Sequence, residues 1–303
     1  MQNILFRADS SSVIGTGHIM RDLVLAHKYV KKGYNVKFAT QNLDGNINNY
    51  IINNNFEIVP LLSNKESELL EIIKKLNIDM IIFDSYEVDY NYEKYIKKQA
   101  NIKIFSFDDT YEKHYCDILL NHNICGEEKK YKKLVPKKCK LKCGSKYTLL
   151  RDEFIENKKK NKKNKKKNKN IFLAMGGADT ASLNISILEI LKNFENIKVN
   201  IITTNANKNL QELKKYCKNK SWMKLHINST KIAKIMAKSD LAIITPSVIL
   251  NEIYYMKVPF VAIKTAKNQI YMYRFLKKMN YTVLNKFNRK NLFNSITKNI
   301  DIL

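Results

Sequence analysis

Between an apolar segment and an amphipathic one, the chain carries Ser10-Ser11-Ser12-Val13-Ile14-Gly15-Thr16-Gly17-His18. Glycines such as Gly15 and Gly17 at a strand-to-helix turn let the main chain approach a ligand, and the free N–H groups of the helix start favour an anion. His18 falls at that helix start, where an imidazole either works on a proton or merely caps the helix. The GxG spacing is not the full dinucleotide fingerprint.

A counterpart turn, Met175-Gly176-Gly177-Ala178-Asp179, recurs in the second half, and its main-chain donors suit a diphosphate; a tight turn is the alternative. Thr245-Pro246-Ser247 precedes Asn251-Glu252 by about one helical turn. Ser247 suits a helix cap, and Glu252 suits a bidentate acceptor for a ribose diol or, equally, a surface carboxylate. Asn268 and Gln269 both donate and accept, as a sugar or phosphate site requires, with a helix cap by Asn268 as the plainer role.

Carboxylates close two further segments. Asp84-Ser85-Tyr86 ends one strand-like run and Asp108-Asp109 ends another. Carboxyl ends of parallel strands face the ligand crevice, so a paired-carboxylate glycosidase site is one chemistry open to them. Tyr86 either orients a sugar hydroxyl or a water, or simply lines the crevice.

The elements that must hold these residues alternate regularly. Strand patterns fall at Ile4–Arg7, Val36–Ala39, Met80–Phe83, Lys103–Phe107 and Ile118–Leu120, with helical periodicity at His18–Lys32, Glu66–Leu76 and Tyr92–Gln99. After Asn157–Asn170, which has no apolar residue, the pattern restarts with strands at Ile171–Ala174, Lys198–Thr203, Leu225–Ile227, Leu241–Ile244 and Phe260–Ile263. Helices at Leu183–Lys192, Leu210–Tyr216, Ile232–Lys238 and Val248–Met256 connect them. The expectation is an α/β protein of two doubly wound, Rossmann-like domains, 1–156 and 171–303, joined by a Lys/Asn-rich linker at 157–170, with a crevice at the carboxyl ends of the two sheets. Tyr271–Leu303 reads as partly helical, and packing back on the first half is one place for it.

Composition narrows the class. The 303 residues are 45% apolar and 10% aromatic, globular values that allow two cores. The formal charge of +26 raises the question of a polyanion, but nine lysines fall in Lys158–Lys169 and the rest are spread along a chain rich in Lys, Asn and Ile. A solvated basic surface is expected rather than a nucleic-acid groove, since clustering is the informative feature. The five cysteines have no CxxC pair and no matching histidine spacing, so neither a zinc site nor a disulfide framework is expected, and reduced cytoplasmic thiols are. No run approaches the length of a membrane span, and no charged leader precedes the first strand.

Taken in order, Phe6-Arg7-Ala8-Asp9-Ser10-Ser11-Ser12, Gly15 to Leu23, Phe107-Asp108-Asp109, Cys143-Gly144, Leu150-Arg151, Met175 to Asp179, Asn251-Glu252 and Asn268-Gln269 resemble a known family over nearly the whole chain. It is that of the UDP-2,4-diacetamido-2,4,6-trideoxy-β-L-altropyranose hydrolases of pseudaminic acid biosynthesis. The resemblance implies a glycosyltransferase-B fold, with UDP held mainly by the second domain. It also implies an inverting hydrolysis that breaks the anomeric C–O bond and frees UDP. It makes His18 the catalytic residue, with Tyr86 contributing. Gly15, Gly17, Arg151, Gly176, Gly177, Ser247, Glu252, Asn268 and Gln269 are then the expected substrate and UDP contacts, and Asp9, Asp84 and Asp108 candidate sugar contacts. Ser85 and Glu87 depart from the histidine and glycine frequent in that family.

The expected partners are therefore the UDP-sugar substrate and the UDP product, for a cytoplasmic monomer with no cofactor, metal, nucleic acid or membrane. A glycosyltransferase that passes the sugar to an acceptor is the alternative. A 2-epimerase of the same fold would need more carboxylates and histidines, and an RNA-binding module would leave the two matched glycine turns unexplained.

Overall fold

The computed structural model describes residues 2–158 and 168–301, so most of the Lys/Asn run expected as a linker, residues 159–167, lies outside the described residues. The chain divides into two compact units, Met1–Leu149 and Leu150–Leu303, a boundary a few residues ahead of the 1–156 expected from composition. The short helix at Asp152–Glu156 thus belongs to the second unit, where it packs on the helices at Ile232–Ala237 and Val248–Met256.

In the first unit seven strands form one sheet: β1 (Asn3–Ala8), β2 (Asn35–Gln41), β3 (Glu57–Leu61), β4 (Met80–Asp84), β5 (Lys103–Phe107), β6 (Ile118–Asn121) and β7 (Lys140–Cys143). Their order is β3-β2-β1-β4-β5-β6-β7 and every pairing is parallel. Helices α1 (Gly17–Val30), α2 (Asn48–Asn53), α3 (Glu66–Lys75), α4 (Tyr90–Ala100) and α5 (Glu128–Tyr131) fall between them.

Side chains alternate across a strand, and here both faces are covered. Ile4, Phe6 and Ala8 join one core with Ile82, Phe105 and Ile19, Leu23 and Ala26 of α1. Leu5 joins the other with Ile81, Phe83, Ile104 and residues of α3 and α4, including Leu69, Ile73 and Ile96. Burial on both faces explains why these strands read as unbroken apolar runs. Asp89 starts α4 by accepting hydrogen bonds from the main-chain N–H groups of Asn91 and Tyr92, and Asn101 ends it in the left-handed region, φ 51°.

The second unit has six strands, β8 (Lys169–Ala174), β9 (Ile197–Thr203), β10 (Met223–Ile227), β11 (Leu241–Ile244), β12 (Phe260–Ile263) and β13 (Val283–Leu284), ordered β10-β9-β8-β11-β12-β13 and all parallel. Its helices are α6 (Asp152–Glu156), α7 (Asn184–Leu191), α8 (Leu210–Cys217), α9 (Ile232–Ala237), α10 (Val248–Met256), α11 (Ile270–Lys278) and α12 (Arg289–Asp301). Leu292 and Ile296 of α12 are buried in the core of this unit with Ile187, Leu191 and Val261, so the terminal helix packs on its own half.

In each unit the strand order reverses beside the first strand, between β1 and β4 and between β8 and β11. Ligands of open parallel sheets bind at such a switch point, outside the strands' carboxyl ends. His18 follows β1 and Asp84 ends β4; Gly176 follows β8 and Ser247 follows β11.

Candidate active site

The loop after β1 is tied down by its own hydroxyls. Ser10 Oγ accepts from the Ile47 N–H, Ser11 Oγ from those of Val13 and Ile14, and Ser12 Oγ donates to Asp44. A bridge pairs Ser11 with Gly15, which turns with φ +84° and delivers Gly17 to the start of α1. His18 is therefore the second residue of the helix and is 8% exposed.

Its ring orientation is fixed. Nδ1 lies 3.0 Å from the Asp84 carbonyl oxygen and 3.5 Å from Asp84 Oδ1. A carbonyl can only accept, so Nδ1 carries the hydrogen and Nε2 of the neutral ring keeps a free lone pair.

Asp84 is held in turn by Arg21, one turn further along α1. Arg21 Nε donates to Asp84 Oδ2 at 2.6 Å, and Nη2 donates to Oδ1. Burial opposes the charge on Asp84, but the Arg21 guanidinium and His18 outweigh it and hold the carboxyl at about 2. Burial likewise works against the charge on Arg21, and Asp84 more than restores it. The third arm, Nη1, reaches Asp109 Oδ2 at 3.4 Å, and Asp109 Oδ1 accepts a 2.8 Å hydrogen bond from the Tyr86 hydroxyl.

Two more groups line the buried side. Arg21 Nη1 also donates to His122 Nε2 at 3.4 Å, and burial with the guanidinium beside it lowers the His122 imidazole to about 3, so it stays neutral. Asp22 is fully buried against Asp84, the side chain with which its carboxyl shares a hydrogen bond. Burial, then the neighbouring Asp84, raises its pKa well above the usual carboxylate range, so Asp22 is a neutral acid behind the Arg21–Asp84 pair.

The expected residues thus separate. His18, Asp84 and Tyr86 come together beside Gly15 and Gly17. Asp9 does not join them: it pairs with the fully buried Arg7 at 2.6 Å and accepts from the Gln41 N–H. Asp108 is also turned away, accepting from Tyr131 Oη at 2.6 Å, Thr110 Oγ1 at 2.7 Å and the Tyr111 N–H at 2.7 Å. Its neighbour Asp109 takes the place at the site. Arg21, Asp22 and His122 are what sequence reasoning passed over; Asp109 was named with Asp108 as a carboxylate at a strand end, but of the two only Asp108 was expected to contact the sugar. The signal was present for the first two, because His18, Arg21 and Asp22 stand three and four residues apart on one face of a helix.

In the second unit Gly176 turns with φ +84° at the end of β8, and the Gly177 carbonyl accepts from the Thr204 N–H and from the hydroxyls of Thr203 and Thr204. The turn does not run straight into a helix: Asp179 intervenes, and its carboxylate caps α7 by accepting from the Leu183 and Asn184 N–H groups. That helix start is therefore already occupied by a side chain. Ser247 precedes α10 without a side-chain capping bond, unlike the cap expected for it. Gln269 reaches back to accept from the Thr265 N–H at 2.8 Å, and Thr265 Oγ1 meets Thr245 Oγ1 at 3.0 Å, joining the ends of β11 and β12. Asn268 stands in the exposed short turn before α11, and Ala266, not Asn268, occupies the capping position there.

Glu252 is 4% exposed and takes an ion pair from Arg151, with Nε and Nη2 each 3.0 Å from Oε1. Arg151 also meets Glu153 at 2.8 Å and lies over the Phe154 ring. Among the described residues no cluster of three or more His, Cys, Asp or Glu forms a metal site, and no helix is long and apolar enough to cross a membrane.

No family model matches the chain. A curated protein of Campylobacter jejuni, UDP-2,4-diacetamido-2,4,6-trideoxy-β-L-altropyranose hydrolase, is 38% identical over 284 residues, which cover 94% of this chain and 99% of the relative. An uncharacterised protein of Methanocaldococcus jannaschii is 29% identical over 91% of this chain and 59% of its own. Among solved structures, MurG of Acinetobacter baumannii superposes with a TM-score of 0.63 at 13% identity, covering 99% of this chain and 91% of that one. A spinosyn rhamnosyltransferase superposes with a TM-score of 0.67 at 8% identity, covering 99% and 92%. At such identities the structures speak for the fold alone, which is that of the glycosyltransferase-B enzymes.

Proposed function

The chain belongs to the family of UDP-2,4-diacetamido-2,4,6-trideoxy-β-L-altropyranose hydrolases, and from that premise we propose that it frees UDP from that sugar nucleotide by attack of water at the anomeric carbon, with inversion. In this reading His18 is the base. The observation that carries it is the 3.0 Å contact between His18 Nδ1 and the Asp84 carbonyl, which commits the ring hydrogen to Nδ1 and leaves Nε2 to take a proton from water.

The steps follow from charge. UDP leaves well once its diphosphate is met by main-chain donors, so a strong protein acid is not required. The glycine turn at Gly176–Gly177 and the Ser247 turn flank the switch point of the second sheet and are the donors assigned to UDP in this reading. Water is the poor partner in the reaction. As Nε2 takes its proton the ring becomes positive, and the Asp84 carboxylate 3.5 Å from Nδ1 stabilises that charge. Base assistance of this type contributes about 10² to 10⁴ in rate, or roughly 3 to 5 kcal/mol. The protein works in the reducing cytoplasm, a reading to which five unbridged cysteines are suited.

One experiment tests both the reaction and the base. The full chain is incubated with the UDP-sugar and no acceptor in ¹⁸O-labelled water, and products are weighed. Free sugar carrying the label, with unlabelled UDP, is expected, and His18→Ala should reduce its rate by about 10² to 10⁴. Label in UDP would mean P–O cleavage, and free sugar forming only with an acceptor alcohol present would mean a transferase; either overturns the reading.

A further inference from the structure

Three side chains of the first unit act on one cation. We propose that Arg21 is the positioning residue of the hydrolysis: through Asp84 it sets the ring of His18, and through Asp109 it sets the hydroxyl of Tyr86, so that the two groups move as one. The inference rests on the reading of His18 as base.

The guanidinium has the geometry for this. It is planar with donors on two edges, so it can hold two carboxylates at a fixed angle, which a lysine ammonium cannot. One edge takes both oxygens of Asp84, and the other reaches Asp109. Arg21 is itself fixed, being 4% exposed with its guanidinium carbon 5.0 Å from the centre of the Phe107 ring. Nothing in this chain of contacts requires Arg21 to touch substrate.

The charges also depend on it. The groups facing Asp84 are Arg21, His18 and Asp22 from α1, His122 from beyond β6, and Asp109 and Tyr86 from the loops after β5 and β4. Asp22 and His122 are neutral, so Arg21 is the one fixed cation among them. Without it, burial dominates at Asp84 and its pKa rises. Asp84 then takes up a proton at the acid end of the working range and no longer stabilises the imidazolium.

Arg21→Met and Arg21→Lys are compared with the unaltered chain by UDP release across pH, with circular dichroism as a check on folding. Arg21→Met should lower kcat roughly 10²-fold, with KM within about twofold, because a displaced base costs turnover rather than binding. Its acid limb should move to higher pH, and Arg21→Lys should restore the limb but only part of kcat. Should Arg21→Met fail to fold, Asp109→Asn and Tyr86→Phe carry the test. Because they cut the same link, their combination should lower kcat no further than the more damaging single change. An acid limb unmoved in Arg21→Met, or in Arg21→Lys a limb moved as far as burial of an unpaired Asp84 would drive it, overturns the proposal. So do Asp109→Asn and Tyr86→Phe losses that multiply. Failure of the base reading is separate, since it shows as full turnover in His18→Ala whatever Arg21 does.

Discussion

The imidazole of His18 and the ring of Tyr86 meet edge to face, with centroids 5.0 Å apart and an interplanar angle of 66°. Tyr86 is 50% exposed, so its ring covers the imidazole from the solvent side while its hydroxyl is tied to Asp109. Such ring pairs contribute about 0.5–1.5 kcal/mol beyond buried area. Tyr86→Phe keeps the ring and loses the hydroxyl tie; Tyr86→Leu loses both. We predict a loss in kcat of about tenfold for the phenylalanine and a further factor of about three to ten for the leucine. Steady-state kinetics of the two variants decides it, and equal losses would mean that the ring contact does nothing for the base.

Arg151 and Glu252 form the second dependent pair. Burial raises the Glu252 pKa, and the Arg151 charge works against that rise. Removing the cation leaves a carboxyl with no compensating charge in a dry position. Arg151→Met should therefore cost about 3 kcal/mol of folding free energy. Urea unfolding should then show partial recovery when Glu252→Leu is added. If the double variant unfolds as early as the single one, the pair is not what Arg151 contributes, and its contacts with Glu153 and Phe154 are.

The sheet strands were legible where they are buried on both faces. Ile4–Arg7, Met80–Phe83 and Phe260–Ile263 are runs that no amphipathic helix would show, and each stands in the sheet within a residue or two of its expected bounds. The edge strands β3 and β7 were not legible. β3 contains Pro60, tolerated because the strand pairs on one side only, and β7 reads Lys-Leu-Lys-Cys, with two charges in four residues. At the site, the glycine turns and His18 stood out because turn chemistry is local. Which of Asp108 and Asp109 joins Arg21 and Tyr86 was not legible, because that depends on the loop after β5, where Tyr131 and Thr110 claim Asp108. Asp9, likewise, was claimed by an arginine two residues back, near the end of β1.

Stability should depend on pH through Asp108 and His114. Burial opposes the charge on Asp108, but the His114 imidazole 3.9 Å away and the hydrogen bonds from Tyr131 and Thr110 hold the carboxyl down at about 2. Burial also opposes the charge on His114, but Asp108 and Glu93 outweigh it and raise the imidazole to about 10. The Asp108 contribution, about 2 kcal/mol, is present above the ordinary carboxylate pKa and is lost as pH falls toward 2. The His114 contribution has the opposite sign: it is complete below about pH 6.5 and is lost as pH rises toward 10. Thermal unfolding should therefore show a maximum in Tm between about pH 4 and 6.5 with a decline on the alkaline side. In His114→Gln the alkaline decline should flatten, and the acid one should shrink as well, because Asp108 loses the largest of the influences that hold it ionised. A variant that keeps the full alkaline decline would assign it to other groups.

Gly176 separates binding from backbone cost. Its φ of +84° costs an L-residue about 1–2 kcal/mol. A Cβ there would meet Thr245 Cγ2 at 4.0 Å, an ordinary contact, so space is not the obstacle. Nor can the turn relax, because the Gly177 carbonyl is held by Thr203 and Thr204. Gly33 has φ +83° with nothing within 4 Å of its added Cβ, and it lies in the turn between α1 and β2. Gly33→Ala thus reports the backbone cost alone. Both alanine variants should lose a similar amount in urea unfolding. If the Gly176 turn receives the diphosphate, Gly176→Ala alone should also raise KM for the UDP-sugar, by about fivefold or more, as its main-chain donors tilt away from the phosphate oxygens. A Gly176→Ala enzyme with unaltered KM, beside a Gly33→Ala enzyme of equal stability, would remove that turn from the nucleotide site.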